Sequence, residues 1–229
     1  MEIKVLGSSS AGNCYVLEDG GHRLILDAGV KLNDILRAID YDTNTLCLIT
    51  HNHRDHCESA EKLARRGLTI RSCAEVANAV PGVIEARPKV RVCGEHFDFI
   101  PFHVPHGETE CYGYLVCTEN IRLLYATDYE YIPYNFQSMK LTHLLIECNY
   151  TDIEKLRGSE KYEHVAKGHS SLQTALGVVE ANMTDAMEFV MLCHVSASED
   201  GEAMREKIQE LVGENVTVAV AQKGDHYEV

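Results

Sequence analysis

The chain has 229 residues, 45% hydrophobic and 24% charged; this balance excludes disorder and coiled coil, and no apolar run reaches the ~18–20 residues that cross a bilayer. Twenty-one basic residues face 35 acidic ones, a formal charge of −14 that opposes loose attachment to nucleic-acid phosphates, although divalent metals in a cleft can override that field. The nine cysteines include no C-x-x-C pair and sit mostly in apolar stretches, so they read as reduced, buried thiols, and the opening MEIKVLGSSS has no apolar leader; together these point to a cytoplasmic protein.

In chain order, EIKVLG, CYVLE and HRLILDAG read as short strands, followed by a helix around LNDILRAI. TLCLIT (45–50) is a continuous apolar run, the pattern of a strand covered on both faces. A helix follows at SAEKLARRG, with Ala60, Leu63 and Ala64 on one face and Gly67 ending it; LTI and a helix near CAEVANAV continue the alternation. KVRVC, HFDFIPFHV, YGYLVC, IRLLYATD and LTHLLIEC return to strands, and 151–168 reads as a loop or weak helix over a site. SLQTALGVVEANM is a helix, EFVMLCHV a buried strand, SEDGEAMREKIQELVG an amphipathic helix and VTVAV a final strand. With no linker and no internal repeat, the expectation is one domain over 1–229. Its fold class is α/β: two sheets face to face with helices outside, a four-layer αββα sandwich.

The decisive motif is THNHRDHCE. On an extended segment His51 and His53 point the same way, so both imidazoles can reach one metal; a turn then lets Asp55 and His56 face a second. Imidazole with carboxylate suits zinc, and manganese or iron when oxygen ligands are more numerous. Further donors stand where apolar runs end: His106 in VPHG, Asp128 in LLYATDY and His194 in MLCHVS.

These residues, with VLGSSSAGNCYVLE and LILDAGV, resemble the metallo-β-lactamase-fold hydrolases over nearly the whole chain. The resemblance implies an αββα sandwich and two divalent ions per chain, zinc first, with manganese or iron as alternatives. His51, His53 and His106 would hold one ion, Asp55, His56 and His194 the other, and Asp128 would bridge them. His103 is the competing candidate for the place of His106. Asp27 would orient the metal-binding loop, while His22, His96, His143, His164 and His226 read as surface or structural histidines.

KGHSS, followed by H-x-S at His194 and Ser196, resembles the phosphodiesterase and nuclease branch, including tRNase Z and the YycJ/WalJ-type exonucleases. GSSSAGN, IECNYT and the Tyr162–His164 segment point to the latter type. The resemblance makes His169 a proton donor to the leaving oxygen and Asp55 and Asp128 catalytic as well as ligating. No tRNA-grasping insertion is present, which disfavours tRNA processing. The expected activity is thus phosphodiester hydrolysis by a water shared between the ions, on a nucleotide or single-stranded nucleic acid, with 5′-to-3′ exonuclease action as one form. Metal-dependent hydrolysis of a thioester, lactone or β-lactam is the alternative. Glu147 either orients His169 or faces solvent.

Overall fold

A computed structural model describes residues 1–158 and 162–229, without the side chains of Leu156 and His164. The first half runs β1 (Glu2–Ser9), β2 (Gly12–Asp19), β3 (His22–Leu26), α1 (Leu32–Ala38), β4 (Leu46–Leu48), α2 (Arg54–Cys57), α3 (Ala60–Ala64), β5 (Thr69–Ser72), α4 (Ala74–Ala79) and β6 (Val83–Glu85). The second runs β7 (Asp98–Val104), β8 (Cys111–Cys117), β9 (Arg122–Ala126), β10 (His143–Glu147), α5 (Tyr162–Gly168), α6 (Leu172–Asn182), β11 (Phe189–Cys193), α7 (Gly201–Val212), β12 (Thr217–Val220) and β13 (His226–Glu228).

A seven-stranded sheet has the order β13-β1-β2-β3-β4-β5-β6, and a six-stranded sheet the order β12-β11-β10-β9-β8-β7. Each half lays down three antiparallel strands and then three parallel ones, β1–β6 and β7–β12, so the backbone repeats a plan that the sequence does not display.

Period-two alternation explains the continuous apolar runs. In β11, Phe189, Met191 and Cys193 face the core shared with the first sheet, while Val190 and Leu192 face the helices outside. Tyr15 and Tyr125 meet edge-on between the sheets at 5.7 Å, and Met204, Ile208 and Val212 of α7 seal the outer face of the second. Asp200 caps α7 by accepting from the amides of Glu202 and Ala203.

Three expectations about elements need correction. KVRVC forms no strand: Lys89 takes φ 63°, Arg91 turns its guanidinium to Asp98, and only Val92 pairs, with Phe99. Edge strands β6 and β13 were not foreseen. Six cysteines are buried as expected, but Cys93, in that same irregular segment, is exposed.

Candidate metal centre

Parallel strands bring their carboxyl ends to one edge, and the polar residues gather there. Asp27 follows β3, His51 lies three residues beyond β4, His106 two beyond β7 and Asp128 two beyond β9; Glu147 ends β10 and His194 follows β11. Asp27, Asp128 and His194 take φ of 59°, 53° and 51°, a left-handed conformation that costs about 1–3 kcal/mol in a non-glycine residue and persists only where its surroundings enforce it. The loop carrying Asp55 and His56 lies so close to Gly29 that a Cβ there would collide with the Asp55 carbonyl.

The expected ligands fall into two donor groups, both including Asp128. In the first, His51 Nε2 lies 2.9 Å from His53 Nδ1, which lies 3.2 Å from His106 Nε2; Asp128 Oδ2 is 3.7 Å from His51 and 4.0 Å from His106. In the second, His56 Nε2 is 3.4 Å from both Asp55 Oδ2 and Asp128 Oδ2, and His194 Nε2 is 3.8 Å from Asp55. A tetrahedral ion with bonds of roughly 2.1 Å separates its ligand atoms by about 3.4 Å, so the spacing fits two such ions sharing Asp128.

The remaining ring nitrogens fix the tautomers. His106 Nδ1 donates to the Gly168 carbonyl at 2.7 Å, and His56 Nδ1 donates to Asp27 Oδ2 at 2.8 Å, so in the neutral ring Nε2 is the nitrogen that faces the cluster with a lone pair. His194 Nε2 is buried with no hydrogen-bond partner among the described residues, a disposition that suits a metal ligand. Asp27, with no exposure, also accepts from the Thr50 amide and hydroxyl and from Tyr125 Oη at 2.6 Å, so it orients the histidine loop as expected.

Charge distinguishes the two donor groups. Burial lowers His51 and His106 below the ordinary imidazole value, keeping them in the neutral form that ligates. Burial alone would lower His56 and His194 too, but Asp128 and Asp27 raise His56 well above that value, and Asp128, with Asp55 and Glu147, raises His194 to about 10. Both carry a proton that a cation would have to displace. The Asp128 carboxyl is held well down: burial would raise it, and the surrounding imidazoles, His194 first, outweigh that.

Glu147 settles its two alternatives in favour of orientation. The side chain has no exposure, and its Oε1 accepts from His169 Nδ1 at 2.7 Å and His194 Nδ1 at 3.1 Å, while Oε2 accepts from the amides of Ser170 at 3.0 Å and Tyr129 at 3.3 Å. Asp128, Glu147, His169 and His194 also converge within 4.8 Å, but the Glu147 oxygens there are already taken up by these N–H groups. Burial works against both charges of the His169–Glu147 pair, yet their attraction raises His169 and lowers Glu147. The His169 ring stacks on that of His194 with centroids 5.2 Å apart, beside the two ligand groups. Ser171 caps α6 by accepting from the amide of Thr174.

His103 is exposed against Tyr112, outside the cluster. His22 stacks on His96, which pairs with Asp19; His226 pairs with Glu2, and His143 is buried beside Thr142. The His164 side chain lies outside the described residues. Asn149 donates to the His194 carbonyl at 2.9 Å and Thr109 approaches His53 Nε2 at 3.4 Å; of these only Asn149 stood in a segment the sequence singled out, IECNYT.

No family model matches the chain. Exodeoxyribonuclease WalJ of Streptococcus pneumoniae is 37% identical over 70 residues, a match that spans 28% of this chain and only about a quarter (26%) of that protein. Exodeoxyribonuclease YycJ of Bacillus anthracis is 23% identical over 248 aligned positions, covering 98% of this chain and 90% of that protein. Of solved structures, the metallo-β-lactamase fold protein YhfI from Bacillus subtilis superposes with a TM-score of 0.79 at 17% identity over 99% of both chains. The short form of human tRNase Z gives 0.69 at 14% identity over 100% of this chain and 99% of its own. The chain has the metallo-β-lactamase fold, with histidine and aspartate clusters compatible with two metal ions. No helix among the described residues is long and apolar enough to cross a membrane.

Proposed function

We propose that the protein is a dinuclear metal-dependent phosphodiesterase, acting as an exonuclease on single-stranded DNA or on a related short phosphodiester. The observation that carries this reading is the buried Glu147–His169 pair beside two complete donor groups: His169 is not needed in either, so it is available to move a proton. The similarity to exodeoxyribonucleases and to tRNase Z supports the substrate class.

His51, His53, His106 and Asp128 would hold one ion, and Asp55, His56, His194 and Asp128 the other; nitrogen donors outnumber carboxylates, which favours zinc over manganese or iron. Bound there, two divalent ions supply an activated water and Lewis-acid stabilisation of the phosphoryl oxygens. Asp128, common to both donor groups, would be shared between them, and Asp27 fixes the imidazole of His56 through its Nδ1. Glu147 holds His169 by Nδ1 and keeps the ring protonated, so that Nε2 can give its proton to the departing alkoxide. The −14 charge favours a short or single-stranded substrate held at the metals over a long duplex held by a basic groove.

The test pairs metal analysis with parallel turnover of bis-aryl phosphate, single-stranded DNA and RNA, nitrocefin, a lactone and a thioester. Two ions per chain and turnover of phosphodiesters are expected. Turnover confined to the β-lactam, lactone or thioester would overturn the assignment.

A further inference from the structure

The GSSSAGN segment contributes no ligand to either donor group, yet it places a fully buried carboxamide against one of them. Asn13, in β2, has no exposure. Its Nδ2 lies 2.9 Å from His56 Nε2 and 3.4 Å from Asp55 Oδ2, and donates to the Ser9 carbonyl at 3.0 Å. On the far side of the same ring, His56 Nδ1 donates to Asp27 Oδ2 at 2.8 Å, so the imidazole is held between the two side chains. Asn13 Oδ1 has no hydrogen-bond partner among the described residues. A fully buried amide whose nitrogen lies 2.9 Å and 3.4 Å from two donor atoms of one metal position acts on how those atoms are held.

The backbone is shaped to put it there. Gly29 donates its amide to the Asn13 carbonyl at 2.9 Å, and a Cβ at Gly12 would collide with the Gly29 carbonyl. Glycines at 7, 12 and 29 thus bring the β1–β2 turn, the segment after β3 and the Asp55 loop into backbone contact, with Asn13 facing inward at their junction. The amide also cannot simply turn over, since its oxygen would then face the Ser9 carbonyl and the Asp55 carboxylate.

We propose that Asn13 is a positioning residue of the second metal position. Its carboxamide packs against His56 Nε2 and the Asp55 carboxylate and holds both side chains toward that position, so Asn13 sets how tightly, and how selectively, that position is filled relative to the first. The inference rests on the two-ion reading of the site but concerns only the difference between its two positions.

The test is metal binding by the full chain, measured by chelator competition and calorimetry with zinc and with manganese, alongside the ligand-field spectrum of the cobalt-substituted protein. Asn13→Ala should leave the tighter ion within about twofold and weaken the second by about 10–100-fold, the range for outer-shell partners of metal ligands. Asn13→Asp, of the same shape, sets an oxygen against the Ser9 carbonyl and the Asp55 carboxylate and should alter the cobalt spectrum of the second position. Circular dichroism identifies a variant that fails to fold; for that case Asn13→Ser is the replacement, with the same expected weakening. Wild-type protein that binds only one ion refutes the two-ion reading itself. Two ions in the wild type, with unchanged affinities and spectra in folded Asn13 variants, refute the role of Asn13 alone.

Discussion

Replacing Glu147 by glutamine keeps the shape of the side chain and removes its charge, and the surrounding contacts set the cost. All four groups around the carboxylate are donors: two imidazole N–H groups on Oε1 and two backbone N–H groups on Oε2. Whichever way the amide turns, its NH2 meets two of them, and each buried group left unmatched costs about 1–3 kcal/mol. At the lower figure the pair costs about 2 kcal/mol, which for a chain of this size lowers Tm by roughly 4–8 °C. The pH dependence gives a second signature in metal-free protein. His169 is raised above its ordinary 6.5, so its contribution is complete below that value and fades as pH rises through the folded value. Glu147 is lowered from 4.5, so its contribution is present above 4.5 and fades as pH falls through the folded value. The gap in Tm between wild type and Glu147→Gln should therefore be widest between pH 4.5 and 6.5 and narrow in two steps as pH rises, through the folded value of His169 and then through about 10, where His194 loses its proton. In the loaded enzyme the alkaline limb of kcat on an alkyl phosphodiester should move to lower pH. A variant with wild-type Tm across this range, or a gap that does not vary with pH, would refute the ion pair as described.

Asp128→Ala removes the one carboxylate common to both donor groups, so metal analysis should find at most one ion and turnover should nearly vanish. His169→Ala should keep both ions and lose about 10²–10⁴-fold in kcat on alkoxide leaving groups, with a much smaller loss on p-nitrophenolate; equal losses on both would make it a binding residue. Asp27→Asn exchanges a buried carboxylate that only accepts for an amide facing the donors Thr50, His56 and Tyr125; it should weaken binding of the second ion, read by chelator competition, and lower Tm.

The parts legible in the sequence are those where one short segment carries its own signal. Runs such as LTHLLIEC must be strands covered on both faces, and their ends are where a parallel sheet collects ligands. His51, His53, Asp55 and His56 stand within six residues of one another, so their convergence needs little help from the fold. Glu147 is different: a strand-end carboxylate faces solvent unless something covers it, and its partners His169 and His194 lie 22 and 47 residues away along the chain. The same holds for Asn13, whose neighbour His56 is brought near by glycine contacts that residue order does not reveal. KVRVC misled for the opposite reason. Its alternation is that of a strand, but Lys89 leaves the extended region and Arg91 pairs by side chain.

The two halves show how one backbone plan is given two chemical uses. Asp27 and Asp128 each close the third strand of their half, and each takes a left-handed φ that turns the carboxylate back over the sheet edge. Around Asp27, Thr50, His56 and Tyr125 use up the oxygens with donors, so that carboxylate can hold the ligand loop but has no lone pair aimed at a metal. Around Asp128, the Nε2 atoms of His51, His56 and His106 lie 3.7, 3.4 and 4.0 Å from its Oδ2, and His194 Nδ1 lies 3.7 Å from its Oδ1. The distinction between scaffold and ligand therefore lies in the neighbours and not in the strand position. It also makes the site depend on both halves, because the His51–His56 loop comes from the first and His106, Asp128 and His194 from the second. A half folded alone would carry an incomplete set of donors at each metal position.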